Sequence, residues 1–396
     1  MLKNLFKRSS FYFVGLISGK ILSTVFFILL ARLLEPAIFG KAVLFVTYLT
    51  LATLLADFGL IQWYQKKIHF YNKKTVLNQM FNARILTLIL AIILMSIILW
   101  ITKPFSVFLN LILLLTLIPE AFLSVMDGYF LAKKQSLRIA LKQISKILVL
   151  ILGLIIFRQG FNLGLMIIFY SLASFITLIW FFPWKLLRQF SLNFQDLGKT
   201  LKSTSSYATL IFTSYAYARG DSLIIQYSLG SSSLGLYNIA YRYLESLSLV
   251  PTALAHNLFH LSAEKKGIKL NQLMKITAFM ALFGVLIAGA MFYGSNFLTT
   301  TLVGEKYTAA GLIVKILSLV LLLFFVNSPL STVVQSSKLI KKFLPWGILN
   351  TVLNLVLNIS LIPVYGIKAA AWVMLITEFS GLLINMIFVL KLYKRK

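Results

Sequence analysis

Runs of about 20 apolar residues recur along the whole chain, separated by short polar or basic segments. A helix needs about 20 such residues to cross the roughly 30 Å hydrocarbon layer of a membrane. The pattern therefore predicts an all-α, polytopic membrane protein with twelve transmembrane helices. Their predicted spans are 10–31, 41–60, 84–101, 105–132, 143–157, 162–184, 204–229, 234–260, 275–302, 307–336, 344–364 and 367–390.

The spans form two sets of six on either side of a basic segment at 185–202. A short pattern, LEPAIFG at Leu34–Gly40, returns 195 residues later as LGSSSLG at Leu229–Gly235. Two six-helix copies that start on the same side of the membrane are parallel repeats, related by an axis along the membrane normal. We therefore predict an N-lobe at 1–190 and a C-lobe at 191–396, arranged around a central cavity.

Composition agrees with a membrane protein, because 59% of the residues are hydrophobic and 12% are charged. The net charge is +28, and 27 of the 38 basic residues lie in the two tails and in alternate loops. The positive-inside rule places these segments, and both termini, in the cytoplasm. The charge is then a topology signal that also attracts anionic membrane lipids, and we predict no nucleic-acid partner.

Cofactor and metal chemistry has little support in the sequence. The chain has no cysteine, which excludes disulfides and thiolate metal sites. His256 and His260 have the i, i+4 spacing of metal ligands but lack a third ligand nearby, so we predict no metal site. The N-terminal MLKNLFKRSS leads into a long apolar span without a small-residue cleavage site, which indicates a retained helix and not a signal peptide.

The seventh and eighth predicted spans carry the densest group of charges, at Arg219, Asp221, Arg242 and Glu245. A charge at the bilayer centre costs about 2.5–3.5 kcal/mol on insertion scales, so each one needs a structural or functional reason. Arg242 and Glu245 are three residues apart and share a helix face, which is also the spacing of an inert ion pair. Arg219 and Asp221 point in different directions unless Gly220 loosens the helix.

Aromatic and basic residues around these charges suit a phosphorylated sugar. Tyrosine faces beside arginines match sugar rings and phosphates, although the interfacial aromatic belt is the alternative explanation for the tyrosines. Lys20 lies about 15 Å into the first span, where it either pairs with a carboxylate or faces the substrate. The predicted substrate-binding residues are Lys20, Tyr215, Arg219, Asp221, Tyr241, Arg242 and Lys315.

Carboxylates within the spans are candidates for ion coupling. Glu120 follows Pro119, which bends a helix and frees a carbonyl, and Glu378 lies in the middle of the last span. The predicted ion-coupling residues are Glu120, Glu245 and Glu378, with H⁺ or Na⁺ as the ion. We expect Asp127 and Lys146 to pair with each other, and Asp57 to have a capping or interfacial role.

A polar stripe of Asn350, Asn354 and Asn358 follows the eleventh span. The spacing of four residues favours hydrogen bonds to a neighbouring helix over substrate contact.

Several segments resemble the O-antigen flippases, the polysaccharide transporter family of the multidrug/oligosaccharidyl-lipid/polysaccharide (MOP) flippase superfamily. The matching stretches cover nearly the whole chain: ARLLEPAIFGKAVLF with LADFGL, ARGDSLIIQYSLGSSSLGLYNIAYRYLE with Pro251, GEKYTAA, and LNLVLNISLIPVYGIKAAAW with Glu378. This resemblance implies transport of an undecaprenyl-pyrophosphate-linked oligosaccharide from the inner to the outer leaflet by alternating access. It also implies that Arg219, Asp221 and Arg242 lie near the central cavity.

The predicted location is the bacterial cytoplasmic (inner) membrane, with membrane lipids and a polysaccharide polymerase as further candidate partners. Three other functions are weighed against a flippase. A cation-coupled drug exporter of the same superfamily needs an acidic cavity, whereas the deep charges here are mixed. A membrane polysaccharide polymerase or ligase needs a substantial outward loop, and the predicted outward loops are short. An ion channel needs a ring of pore-lining charges, and the sequence shows none.

Overall fold

A computed structural model of the protein describes residues 2–68, 70–133, 135–184, 191, 196–252, 258 and 268–394. Within these ranges the regular structure is helical throughout, which confirms the predicted all-α class. The α-helices are α1 (Leu2–Leu33), α2 (Pro36–Asp57), α3 (Leu60–Lys67), α4 (Lys73–Thr102), α5 (Val107–Ala132), α6 (Ser136–Ile156), α7 (Leu163–Phe181), α8 (Leu197–Leu247), α9 (Leu270–Tyr293), α10 (Gly311–Ser336), α11 (Ile340–Tyr365) and α12 (Ile367–Tyr393).

Nine helices among the described residues are long and apolar enough to cross a membrane. The long helix α1 and the two arms of α8 complete the predicted layout of twelve spans. Helix α8 is not among these nine helices because its charged and hydroxyl side chains lower its mean hydropathy. The helix α3, by contrast, has eight residues and is too short to span a bilayer.

Helix α8 is 51 residues long and is interrupted at Gly230, where φ is 84° and ψ is 176°. A straight helix of this length would extend about 77 Å, more than twice the thickness of a membrane. The backbone angles at Gly230 belong to a region that glycine alone adopts readily. The predicted spans 204–229 and 234–260 leave four residues between them, but the break is at Gly230 alone, because helical geometry resumes at Ser231.

The two arms of α8 form an antiparallel hairpin. Asp221 accepts a hydrogen bond from Tyr237, Tyr241 donates to the carbonyl of Ala218, and Arg219 pairs with Glu245. Each contact joins the first arm to the second, and the pair of Asp221 and Tyr237 is nearest to Gly230, which lies at the closed end. The charges predicted in the seventh and eighth spans therefore lie together.

Residue contacts divide the chain into two compact units. The first comprises Met1–Phe26 and Lys41–Tyr215, and the second comprises Phe27–Gly40 and Ala216–Lys396. The divisions fall within α1 and α8, so neither unit is a continuous piece of sequence. The lobes predicted at 1–190 and 191–396 have other boundaries than these units, because they are defined by the sequence repeat. They stay a prediction.

Within the first unit, the short helix α3 is held against α8 at Gly59. Its φ of 77° turns the chain sharply after α2. A Cβ atom at Gly59 would lie 2.7 Å from Cβ of Tyr207 and 2.9 Å from the carbonyl oxygen of Thr204. Glycine thus permits both the turn and the close packing of α3 on α8.

The two copies of the predicted repeat contact each other within the second unit. A Cβ atom at Gly40 would lie 1.8 Å from the carbonyl oxygen of Ser231, and one at Gly235 would lie 2.1 Å from the carbonyl oxygen of Pro36. Ser231, which Gly40 contacts, lies four residues before Gly235. Pro36, which Gly235 contacts, lies four residues before Gly40. This reciprocal contact is the signature of a local two-fold relation, and it supports the repeat read from the sequence.

We predict that Gly40→Ala lowers the stability of the protein by about 3 kcal/mol or more, the upper end of the cost of overpacking. The added methyl group would overlap a backbone carbonyl that has no side-chain freedom to move. The midpoint of thermal unfolding of the purified protein in detergent measures the effect.

Gly289→Ala is the matched control, because a Cβ atom at Gly289 in α9 meets nothing within 4 Å. Alanine in a helix interior is favoured over glycine by about 0.5–1 kcal/mol, so this variant should be slightly more stable. Equal melting temperatures for the two variants would contradict the close contact.

Candidate functional site

The hairpin of α8 brings together two arginines and one glutamate, here called the arginine cluster: Arg219, Arg242 and Glu245. Glu245 Oε1 lies 3.1 Å from Arg219 Nη2, and its Oε2 lies 3.2 Å from Arg242 Nη1. The side chains of Arg219, Arg242 and Glu245 are 17%, 7% and 23% exposed. The predicted Arg242–Glu245 pair is confirmed, and a second arginine shares the same carboxylate.

Aromatic rings cover both guanidinium groups. Arg219 lies 4.9 Å from the ring centre of Tyr241, and Arg242 lies 3.6 Å from that of Phe27 on α1. A guanidinium over a ring face gains from the ring quadrupole, more so where water is scarce. The Tyr241 hydroxyl donates to the carbonyl of Ala218 at 3.1 Å, which fixes the ring beneath Arg219.

Asp221 is buried beside the cluster and has partners of its own. Its carboxylate accepts hydrogen bonds from the Tyr237 hydroxyl, the Ser222 backbone N–H at 2.6 Å and the Ser222 hydroxyl at 3.2 Å. Arg219 and Asp221 therefore have different hydrogen-bond partners, as their spacing predicted. Asp221 closes the hairpin between the two arms of α8.

Glu378 on α12 contacts the same arm of α8 as Arg219. Its Oε1 accepts a hydrogen bond of 2.5 Å from the Tyr217 hydroxyl, and the Asn327 side chain of α10 is a further hydrogen-bond partner. Both partners are neutral. A carboxylate between neutral donors can gain or lose a proton without breaking an ion pair.

The asparagine stripe of α11 packs against α12. The Asn350 amide donates to the carbonyl of Thr377 and the Asn354 amide to its hydroxyl, each at 3.0 Å, while the Asn358 amide donates to Asn354. Asn350 and Asn354 therefore make the interhelical hydrogen bonds that the spacing favoured, whereas the bond of Asn358 lies within α11.

In the first unit, the charges of α5 and α6 form two separate ion pairs. Glu120 accepts from Lys146 and, at 2.5 Å, from the Ser174 hydroxyl of α7, while Asp127 lies 2.6 Å from Lys142. The predicted pairing of Asp127 with Lys146 is wrong. The two helices are consecutive and run in opposite directions, so Asp127, near the end of α5, meets the lysine nearer the start of α6.

Asp57 also has a different role from the one predicted. It forms a buried ion pair with Arg84, at 2.5 Å, and both side chains are at most 5% exposed. The sequence reading placed Arg84 at the edge of a loop, but α4 begins at Lys73, so Arg84 lies in the helix interior. The pair joins α2 to α4 and replaces the predicted capping or interfacial role.

The remaining predicted substrate residues are spread over both units. Lys20 is half-buried on α1 in the first unit. Tyr215, also in the first unit, donates a 2.6 Å hydrogen bond to the carbonyl of Thr47. Lys315 on α10, in the second unit, lies 5.7 Å from the ring centre of Phe292. Their roles in substrate binding stay predictions.

Two side chains that contact the buried carboxylates were not identified from the sequence. Ser174 bonds Glu120, and Asn327 bonds Glu378. The available signal was a single polar residue in an apolar run, such as Asn327 within LLLFFVNSPL. No group of three His, Cys, Asp or Glu residues suited to a metal ion occurs among the described residues, and His256 and His260 lie outside them.

Comparison with known sequences identifies the family. The profile of a family described as "Polysaccharide biosynthesis protein" matches residues 5–259, which is more than half of the chain. The chain is also 27% identical over 175 residues to the "Probable flippase AglR" of Haloferax volcanii. That alignment covers 42% of this chain and spans only 36% of the archaeal protein.

Comparison with solved structures identifies the fold. An inward-facing multidrug resistance MATE family transporter of the MOP superfamily matches with a TM-score of 0.73 and 12% identity, over 95% of this chain and 96% of that one. A MOP superfamily transporter from Pyrococcus furiosus matches with a TM-score of 0.62 and 12% identity, over 96% and 95%. The fold is thus that of the MATE transporters, and, as its sequence motifs predicted, the chain belongs to the polysaccharide biosynthesis protein family.

Proposed function

We propose that the protein is a flippase that moves an undecaprenyl-pyrophosphate-linked oligosaccharide from the inner to the outer leaflet of the bacterial cytoplasmic membrane by alternating access. The observation that carries this proposal is the arginine cluster, in which two desolvated guanidinium groups share one carboxylate. Membership in the polysaccharide biosynthesis family and the MATE-like fold agree with it.

The physical obstacle to such transport is the polar head group. Moving a sugar hydroxyl into hydrocarbon without a hydrogen-bond partner costs several kcal/mol, and a diphosphate costs far more. A protein that lowers this cost must replace the water around the sugars and balance the phosphate charge. The polyprenyl tail needs neither hydrogen-bond partners nor a balancing charge, since it is as apolar as the membrane interior.

The arginine cluster supplies the groups that bind phosphate. Guanidinium groups form paired, charge-assisted hydrogen bonds with phosphate oxygens. Glu245 is the internal anion that holds Arg219 and Arg242 in place before the substrate arrives. A diphosphate would compete with Glu245 for the same donors.

The first arm of α8 supplies a face for the sugars. It exposes several Ser and Thr side chains, and their hydroxyls donate to carbonyls three or four residues earlier in the same helix: Ser203, Ser205 and Thr209. These hydroxyls are satisfied without a ligand and still have lone pairs free to accept. Sugar hydroxyls can therefore donate to this face in place of water.

Among the three candidate ion-coupling residues, Glu378 has the most suitable surroundings. Glu120 and Glu245 lie in ion pairs, so a proton bound at either carboxylate would leave a buried cation without its partner. Glu378 accepts from Tyr217 and Asn327, which are neutral. Proton binding at Glu378 changes the net charge of its site without leaving a cation unpaired.

A cation-coupled drug exporter is the second candidate, because the fold resembles that of a multidrug transporter. An exporter of cationic drugs would bind its substrate through carboxylates, and two arginines around one glutamate repel a cation. The two functions therefore predict opposite results when the arginines are removed.

We predict that replacing Arg219 and Arg242 with alanine reduces transport of a fluorescent lipid-linked oligosaccharide in proteoliposomes by about 100-fold. Each charge-assisted hydrogen bond contributes about 1.5–3 kcal/mol, and 1.4 kcal/mol is tenfold. Transport is measured as the fraction of label that a membrane-impermeant reductant can reach over time.

Arg158→Ala is the matched control, because Arg158 is an exposed arginine in the short turn between α6 and α7. It should transport at the wild-type rate. Normal transport by the Arg219/Arg242 variant would exclude the proposed role of the cluster. Wild-type transport of a cationic drug, without transport of the lipid, would favour the exporter.

We also predict that Glu378→Gln removes the response of transport to an imposed proton gradient. Glutamine retains an acceptor for Tyr217 but carries no titratable proton. The measurement compares initial transport rates with and without the gradient, and Asp127→Asn, which alters a paired carboxylate elsewhere, is the control. A Glu378→Gln variant that still accelerates with the gradient would assign coupling to another residue or to Na⁺.

A further inference from the structure

A basic cavity lies at one end of the first unit, apart from the arginine cluster. Helix α3, the start of α4 and the start of α8 enclose a volume of about 380 Å³. Polar and aromatic side chains line it, among them Trp63, Lys67, Tyr71, Gln79, Lys199 and Ser203. The distribution of basic residues predicts that this end of the unit is cytoplasmic.

The chemistry of the cavity suits an anion. Lys67 and Lys199 line it together with one carboxylate, Asp196. Asp196 contacts Lys199 and Gln79 at 3.4 Å each, which are long hydrogen bonds. The Lys199 side chain is 87% exposed and that of Asp196 is 52% exposed, so both can reorient toward a ligand.

Trp63 supplies an unused donor at the same place. The residue is 4% exposed, and its indole N–H has no acceptor among the described residues. A buried polar group without a partner is costly, and such groups in native proteins call for an explanation. Trp63 also lines the cavity, so a change in the orientation of its indole would bring this donor to a ligand oxygen.

An apolar groove of about 430 Å³ lies beside the cavity and shares two of its walls. Leu54, Tyr207, Leu210, Ile211 and Tyr215 line it, on α2 and α8. On α3 the two spaces are lined by adjacent residues, Gln62 and Trp63. On α8 they are separated by one helical turn, about 6 Å, between Ser203 and Tyr207.

We infer that the cavity and the groove together form a docking site where a polyprenyl phosphate lipid binds before transport. The lysines and Trp63 contact the phosphate, and the groove holds the first isoprene units of the tail. A free phosphate would use the cavity alone, whereas a lipid uses both spaces at once. The inference rests on the proposed function for the identity of the lipid.

The close packing at Gly59 builds this site. Because α3 touches α8 there, the cavity forms on one side of the contact and the groove on the other. The same arm of α8 carries the exposed hydroxyls that follow Ser203. A head group released from the cavity therefore meets the face that we assign to the sugars.

The test is photolabelling of the purified full-length protein in uncharged lipid nanodiscs. The probe is a short-chain polyprenyl phosphate with a photoreactive group in its tail, and the matching polyprenol is its comparison. We expect the phosphate to label peptides from 54–79 and 196–215, at lower concentration than the polyprenol. Equal labelling by the two probes would overturn the inference.

Charge variants test the lysines. Lys67→Glu and Lys199→Glu should each raise the concentration for half-maximal labelling about tenfold. Lys67→Gln and Lys199→Gln, which are milder changes, should shift it in the same direction. Lys66→Glu is the matched control, because Lys66 neighbours Lys67 but is exposed and does not line the cavity. A shift for Lys66→Glu equal to that for Lys67→Glu would contradict a specific site.

Competition separates the possible sources of phosphate. Unlabelled polyprenyl phosphate should displace the probe, while phosphatidylglycerol and inorganic phosphate at equal concentration should not. Displacement by phosphatidylglycerol with equal potency would overturn the assignment of the lipid, and displacement by inorganic phosphate would overturn the role of the groove.

The transport assay keeps this inference separate from the proposed function. The Arg219/Arg242 double alanine variant should lose transport and keep its labelling. If the wild-type protein binds the probe but does not transport the lipid-linked oligosaccharide, the docking site stands and the flippase proposal fails. If it transports, and the lysine variants label normally, the docking site alone is wrong.

Discussion

The cost of a charge in hydrocarbon is the constraint on which this structure depends. Six carboxylates lie within the described α-helices, and each has a donor: Asp57, Glu120, Asp127, Asp221, Glu245 and Glu378. Four of them face lysine or arginine, and two face the hydroxyl group of a tyrosine. Most of these contacts also connect different helices or different arms of α8, so they add to the apolar packing between helices.

The two units use this constraint differently. In the first unit, Glu120 and Asp127 each meet their own lysine across α5 and α6, which is an arrangement for holding helices in register. In the second unit, Glu245 serves two arginines and Glu378 faces neutral groups. A carboxylate that is shared by two arginines, or that faces neutral donors, has alternative hydrogen-bonding arrangements of similar free energy. The residues of the proposed flippase mechanism at Glu245 and Glu378 and those of the proposed lipid docking site thus belong to different units.

The fold was predictable from the sequence, because span length and basic loops follow directly from the thickness and charge of the membrane. The contact between Arg242 and Glu245 was predictable from helical spacing. The partners of Asp127 and Asp57 were not, since these depend on where α4, α5 and α6 begin and how they pack. The helix α3 was missed because an eight-residue amphipathic segment looks like a loop in a hydropathy pattern, and with it the cavity that it helps to form.

The contact between Gly40 and Gly235 couples two segments that are far apart in the sequence. A residue on a helix surface can ordinarily be replaced without regard to distant positions. Here a side chain at either glycine would collide with the backbone of the opposite segment. Relief of that collision requires both backbones to move, so the two positions behave as one steric unit.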